Sequence, residues 1–252
     1  MTSNIIAIVN QKGGVGKTTS AINIAANIAN RNKKVLLVDL DPQGNSTSGL
    51  GIAKEKGPTT YDLLCEGMDL VDIVQETHVA QLYIIPANAH LAGAEIEFVN
   101  RNDREFILKH ALNKSEFEYI FIDCPPSLGL LTINALTACT KVLIPVQTEF
   151  YALEGLSQLL NTVQAIKSST NPNLEMLGVV LTMYDKRNSL SEQVYKEVQN
   201  YFGDKLFKTV IPRNVRLAEA PSFGQTIFEH DKWSKGARAY KSLTKEIANI
   251  IN

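Results

Sequence analysis

The chain has 252 residues, 44% of them hydrophobic and 20% charged, an ordinary globular composition long enough to bury a sizeable core. Its 25 Lys and Arg nearly balance 26 Asp and Glu, and a net charge of −1 excludes a global field that would recruit nucleic acid or anionic membrane. No apolar run approaches the ~20 residues of a membrane span, and the opening MTSNIIAIVNQKGG does not have the form of a signal peptide.

The predicted elements alternate along the whole chain. The first strand, Ile5–Asn10, runs directly into Gln11-Lys12-Gly13-Gly14-Val15-Gly16-Lys17-Thr18-Thr19, and a helix over Thr18–Arg31 follows. Glycines let the backbone turn tightly and aim successive N–H groups at phosphate oxygens, and the helix N-terminus adds its positive dipole end. Lys17 is then placed to reach the β- and γ-phosphates, and the Thr18 hydroxyl to bind Mg²⁺. The general pattern G-x-x-x-x-G-K-[ST] asks for glycine where this chain has Gln11, and a second lysine, Lys12, opens the loop. Lys17 already serves its own loop, so Lys12 is free to neutralise phosphates held by a second subunit, which predicts a nucleotide-sandwich dimer.

The second strand, Lys34–Asp39, ends in Asp39-Leu40-Asp41-Pro42-Gln43-Gly44-Asn45. Residues Gly51 to His78 are the least regular and read as short helices over one sheet edge. A strand at Leu82–Pro86 and a helix at Asp103–Asn113 lead to Tyr119–Asp123, four apolar residues and an aspartate of Walker B form, continuing into Cys124-Pro125-Pro126. Ligands sit beyond the carboxyl ends of parallel strands, so Asp39, Asp41 and Asp123 are expected to converge on the loop. Asp123 suits the Mg²⁺ shell, and Asp41, on a turn with Pro42 and Gly44, suits the orientation of an attacking water.

The remaining strands are Lys141–Pro145, Met176–Thr182 and Leu206–Val210, separated by helices at Leu130–Ala138, Ala152–Ser168 and Ser191–Phe202. Most strands are continuous apolar runs, as expected when both faces of a parallel sheet are buried. The fold class is therefore α/β: a doubly wound, mostly parallel sheet flanked by helices, of P-loop NTPase type, in a single domain over residues 1–252. A last helix, Ala237–Asn252, carries a narrow apolar stripe of Ala237, Tyr240, Leu243, Ile247, Ile250 and Ile251 that is expected to pack on its own domain rather than on a membrane. Cys65, Cys124 and Cys139 have no CxxC spacing, which fits small buried residues in a reducing cytoplasm. His78, His90, His110 and His230 are scattered and form no nucleophile set.

Charge is uneven. Residues 1–181 hold 13 Lys and Arg against 18 Asp and Glu, whereas residues 182–252 hold 12 against 8, net +4. Lys186, Arg187, Arg213, Arg216, Lys235, Arg238 and Lys241 supply a basic face of the kind that binds phosphates without reading sequence. No aromatic interleaving suggests base stacking, and a first strand at residue 5 leaves no room before it for a helix-turn-helix.

These motifs resemble a known family. KGGVGKTT, with Lys12, resembles the deviant Walker A box of the ParA/MinD ATPases; DLDPQGN resembles their switch I and IDCPPSLG their switch II. PVQTEFYALEGL, LTMYDKR and IPRNVRLAEAPSFGQ resemble blocks of the chromosomal ParA branch, so the likeness runs from residue 5 to about residue 225. The resemblance implies that Lys12 acts across a dimer, that Gly13, Gly14, Val15, Gly16, Lys17, Thr18 and Thr19 hold the phosphates of ATP, and that Thr18 and, through water, Asp123 hold Mg²⁺. It implies a catalytic role for Lys12, Lys17 and Asp41, with Asp41 needed for hydrolysis rather than binding, and places Pro212 and Asn214 against adenine. It also implies a homodimer formed on ATP binding, DNA binding through Arg187 and Arg216 with Lys186, Arg213 and Arg238 beside them, slow hydrolysis stimulated by a ParB-like partner, and a cytoplasmic, nucleoid-associated protein that moves chromosome or plasmid DNA.

Three other readings compete. A MinD-like membrane-cycling ATPase needs a basic amphipathic tail beyond the fold, and the last helix ends too soon for one. An electron-transfer protein like the nitrogenase iron protein needs two cysteines facing the dimer axis, a pattern Cys124 and Cys139 do not match. A nucleotide switch without turnover differs from the ATPase only in degree.

Overall fold

The computed structural model describes residues 3–113, 115–149 and 154–251. Seven strands form one sheet in the order β3-β4-β2-β5-β1-β6-β7. They are β1 (Asn4–Ile8), β2 (Val35–Asp39), β3 (Gln75–Glu76), β4 (Leu82–Ile85), β5 (Tyr119–Asp123), β6 (Lys141–Gln147) and β7 (Glu175–Thr182). All neighbours pair in parallel except the two-residue edge strand β3, which is antiparallel to β4.

Successive side chains of each strand enter opposite layers, because side chains alternate across a strand. Leu36 and Val38 face one core and Val35 and Leu37 the other; Ile120 and Ile122 are likewise opposed to Tyr119 and Phe121. The first layer is closed by α4 (Leu91–Phe98), α5 (Ile107–Leu112), α6 (Leu130–Ala138), α7 (Glu154–Ser168) and α8 (Ser189–Phe202). The second is closed by α1 (Lys17–Ala29) and α11 (Lys235–Ile251), with Ile24, Tyr240, Leu243 and Ile247 fully buried between them and the sheet. Ala237, Tyr240, Leu243 and Ile247 of the expected stripe therefore pack on their own domain, whereas Ile250 is 51% exposed.

The segment from residue 51 to 78 does contain short helical pieces, a π-helical turn at Asp62–Glu66 and α3 (Leu70–Ile73), together with β3, a strand too short to show a period in sequence. The helix expected from Ala152 is described from Glu154; Ala152 itself lies outside the described residues.

The strand expected at Leu206–Val210 does not form. Leu206 makes a single bridge to Val179, and Phe207 N donates to Val179 O at 2.9 Å. The next two amides turn away: Lys208 N and Thr209 N both donate to the Glu246 carboxylate of α11 at 3.0 Å. An apolar run that reads as a strand is thus peeled from the sheet edge by a carboxylate that takes its ladder hydrogen bonds.

Register positions the chemistry. Asp123 ends β5 and pairs on one side with Ile8, the last residue of β1, and on the other with Asp39, the last residue of β2. The loop that leaves β1 therefore rises directly beside two carboxylates at the carboxyl edge of the sheet.

Candidate functional site

The loop from Asn10 to Gly16 is held at both ends by side chains, one of which takes the Lys12 amide. Asn10 donates to Pro145 O at 2.7 Å and accepts from Lys12 N at 2.9 Å. Thr182, at the end of β7, donates to Val15 O at 2.8 Å. Gly14 and Gly16 lie at φ 75° and 90°, the left-handed region that glycine enters without steric cost, and Gly16 caps α1 with no side-chain acceptor in the way. The result is a turn of backbone N–H groups at a helix N-terminus, the physical requirement for an anion site.

Lys17 is buried, and its ammonium curls over the loop to donate to Lys12 O at 3.0 Å. Burial lowers its pKa, while the charges of Asp123 and Asp41 raise it, which locates these groups around one point. Lys12 faces outward, its side chain 45% exposed, and pairs with Glu149, which also accepts from Gln147.

Asp39 and Asp123 are both fully buried. Burial, then the charge of Asp123, pushes Asp39 up to about 7. Burial pushes Asp123 up to about 6, against hydrogen bonds from Ser46 and Thr18 that pull it down. Two side chains that sequence reasoning missed organise this pair. Ser46 Oγ donates to Asp123 Oδ2 at 2.7 Å, and Thr47 donates to Asp39 Oδ2 through both its amide at 2.8 Å and its hydroxyl at 2.7 Å. Both residues lie on α2 (Asn45–Gly49), a Ser- and Gly-rich turn with no helical propensity of its own that these buried carboxylates hold in place. The Ser-Thr pair directly after the DPQG turn was the available signal.

Asp41 is buried on the turn expected of it, with Gly44 N donating to its carbonyl at 2.8 Å and Gln43 N to Oδ1 at 2.9 Å. Lys17, Asp41 and Asp123 are thereby brought together with Thr18 at one end of the sheet.

Asp123 Oδ1 is buried with no hydrogen-bond partner. An orphaned carboxylate oxygen beside the Thr18 hydroxyl fits a hard cation that takes oxygen ligands. Among the described residues no group of three or more His, Cys, Asp or Glu could cage a metal, so such a cation takes its other ligands from phosphate and water.

Beside the loop lies a cavity of about 300 Å³, lined by Gly16, Thr19, Met183, Ile211, Pro212, Asn214 and Tyr240 among others. Asn214 Oδ1 is also buried without a partner. Pro212 and Asn214 thus line a cavity beside the loop together with Thr19. Tyr240 closes it from α11, its hydroxyl 3.0 Å from Ser20 Oγ. A second cleft, about 580 Å³, lies between the π-helical turn and α5 and has no phosphate-binding element.

Several basic residues line a groove that shares Pro212 and Arg213 with the cavity beside the phosphate loop. Lys186, Arg187, Arg213 and Lys235 line one groove together with Tyr184 and Asp185. The Arg187 side chain is 90% exposed and pairs with Asp185 at 2.9 Å; that partner holds the Asp185 carboxyl down at about 2. Arg216, on α9 (Val215–Glu219), pairs with Glu219 at 2.8 Å and with Asp231 at 3.7 Å. Arg238 is exposed on α11, outside the residues lining that groove. Cys124 and Cys139 are buried, with burial holding both thiols protonated, so neither faces a dimer axis as an iron–sulfur ligand.

Sheet order, phosphate loop and converging acids define a P-loop ATPase with a second lysine in its loop. A family model described as an AAA domain matches residues 3–176. The chain is 58% identical to the sporulation initiation inhibitor protein Soj of Bacillus subtilis, over 97% of this chain and 98% of that protein. It is 50% identical to the chromosome partitioning protein ParA of Myxococcus xanthus, over 96% of this chain and 87% of that one. Its fold superposes on a crystal structure of cobyrinic acid a,c-diamide synthase from Mycobacterium smegmatis with bound ADP and magnesium, at TM-score 0.85 and 36% identity over 97% of this chain and 93% of that one. The chain belongs to the ParA/Soj family of chromosome-partitioning ATPases.

Proposed function

We propose that this protein is a partition ATPase in which ATP-driven dimerisation permits sequence-nonspecific binding to double-stranded DNA, and hydrolysis stimulated by a ParB-like partner reverses it. The observation that carries the reading is the convergence of Lys17, Asp41 and Asp123 at the carboxyl edge of the sheet, below a loop whose second lysine points outward. The loop amides from Gly13 to Thr18 and the Lys17 ammonium bind the phosphates. Mg²⁺, held by Thr18 and, through water, by Asp123, supplies charge neutralisation when bound. Asp41 orients the attacking water, and Asn214 Oδ1 accepts from the exocyclic amine of adenine over Pro212.

In the free subunit Lys12 is occupied by Glu149; in the dimer it crosses to the partner's phosphates, so closure of the interface and completion of the catalytic site are one event. Lys186, Arg187, Arg213, Arg216 and Arg238 then contact DNA phosphates. Such contacts locate the protein on the nucleoid in the cytoplasm. Among the described residues no helix is long and apolar enough to cross a membrane. Tyr240, Leu243 and Ile247 of α11 are buried in the protein's own core, which favours DNA over a membrane as the surface on which the protein cycles.

The test is the Asp41→Ala variant with ATP, read by light scattering and nucleotide titration. The reading predicts a persistent dimer with nucleotide affinity near wild type and hydrolysis lost; a monomer that no longer binds ATP overturns it.

A further inference from the structure

Trp233, at 77% exposed, is the most exposed Phe, Tyr or Trp among the described residues, and Lys232 and Lys235 flank it in the sequence. Its loop is not loose. Trp233 N donates to Asp231 Oδ1 at 3.1 Å, and Ala237 N donates to Ser234 Oγ at 3.0 Å, which caps the start of α11. The Asp231 carboxylate also meets Arg216 at 3.7 Å, so one carboxylate joins the Trp233 amide to the arginine expected to contact DNA. Lys232 lies 5.4 Å from the ring centroid, and Lys235, two residues on, lines the groove that holds Lys186, Arg187 and Arg213. Phe223, 68% exposed, extends the same network by stacking on His230 at 5.2 Å, and His230 reaches Glu219, the other partner of Arg216.

An ordered loop that holds a large indole in water presents the residue type most enriched at the energetic centres of contact surfaces. Lys232 lies over the ring, Lys235 follows two residues on and Arg216 meets the same Asp231, so a polyanion is the partner these cations suit. Tyr240, Leu243 and Ile247 of α11 are buried and are not free to insert into a lipid surface. Resting on the DNA-binding reading above, we propose that Trp233 is a DNA contact of a different chemistry from the arginines: it packs its indole against the deoxyribose carbons exposed between phosphates in the minor groove. The arginines and lysines take the charge, and Trp233 adds an apolar contact that salt does not screen.

The chain has one tryptophan, so its emission reports this position alone. The experiment titrates the full-length protein, saturated with Mg²⁺ and a non-hydrolysable ATP analogue, with end-labelled random-sequence duplex. DNA anisotropy and tryptophan emission are followed together at several salt concentrations, for wild type, Trp233→Ala and Trp233→Phe. The expected result is quenched or blue-shifted emission that saturates with the anisotropy. Trp233→Ala should bind on the order of tenfold more weakly at every salt concentration, the loss of one aromatic contact, with the slope of log K against log salt unchanged because no phosphate contact is lost. Trp233→Phe should fall between the two. Binding by anisotropy with unchanged emission, or a Trp233→Ala isotherm that matches wild type, overturns the proposal while leaving DNA binding intact. An emission change with phosphatidylglycerol vesicles and none with bound DNA assigns the indole to lipid and overturns it as well. If no DNA binds by anisotropy, the DNA-binding reading itself fails, and this contact with it.

Discussion

Replacing Ser46 by alanine isolates the link between the switch turn and the Walker B carboxylate. The hydroxyl is fully buried and donates to Asp123 Oδ2 at 2.7 Å, and the other oxygen of Asp123 has no partner. The substitution therefore leaves a buried carboxylate without the Ser46 hydroxyl and removes one of the interactions that hold its pKa down. A hydrogen bond to a charged group contributes about 1.5–3 kcal/mol, and one to a neutral group about 1 kcal/mol. Burial places Asp123 at about 6, so it is ionised at pH 8 and protonated at pH 5. The nucleotide-free Ser46→Ala protein should then lose roughly 2 kcal/mol of unfolding free energy at pH 8 and about half that at pH 5. Urea denaturation at the two pH values measures both numbers. A loss below about 0.5 kcal/mol at pH 8, or an equal loss at both, would refute the argument, because either result means that Asp123 does not depend on this hydroxyl when charged.

Further outcomes follow from other parts of the site. Gly44→Ala places a side chain at φ 59° with its Cβ 2.5 Å from Ala87 O; it should cost roughly 3 kcal/mol or more in denaturation and cripple hydrolysis by displacing the Asp41 turn. Asp39 and Asp123, raised by burial to about 7 and about 6, keep protons in the folded state that the unfolded chain has released. Stability of the nucleotide-free protein should therefore fall as pH rises from about 5 to 7.5, since the exposed carboxylates with lowered values, such as Glu118 and Asp185, exert their opposite effect below that window. Binding of Mg²⁺ and nucleotide should release protons near pH 6.5, seen as a buffer-dependent calorimetric enthalpy. Arg216→Glu, at a half-exposed site beside Glu219 and Asp231, should weaken DNA binding by on the order of 100-fold at moderate salt and leave dimerisation unchanged, as gel filtration with ATP would show.

The phosphate loop was legible in sequence because its chemistry demands particular residues at particular spacings, and the buried strands because their apolar runs are continuous. Asp123 and Asp39 could be placed because strand ends in a parallel sheet fall in line. The helical form of the switch turn was not legible: Asn45–Gly49 is a helix because Asp39 and Asp123 hold Thr47 and Ser46, a tertiary cause that the Ser-Thr pair marks in sequence only as a hydrogen-bonding opportunity. Leu206–Val210 failed for the converse reason, a strand-like run whose amides are taken by Glu246 from a helix some 40 residues further on. Trp233 stands between Lys232 and Lys235, an interleaving of aromatic and cation that passes unnoticed in sequence because nothing there says the indole is left outside the core.

The central claim is that nucleotide state switches the basic face on. The direct measurement is DNA binding by the pure protein with ATP, with ADP and with no nucleotide, each at low and high salt on two unrelated duplexes. The account predicts binding with ATP alone, equal for both sequences and falling steeply with salt. Binding that is the same in all three nucleotide states, or absent from all three, would contradict it.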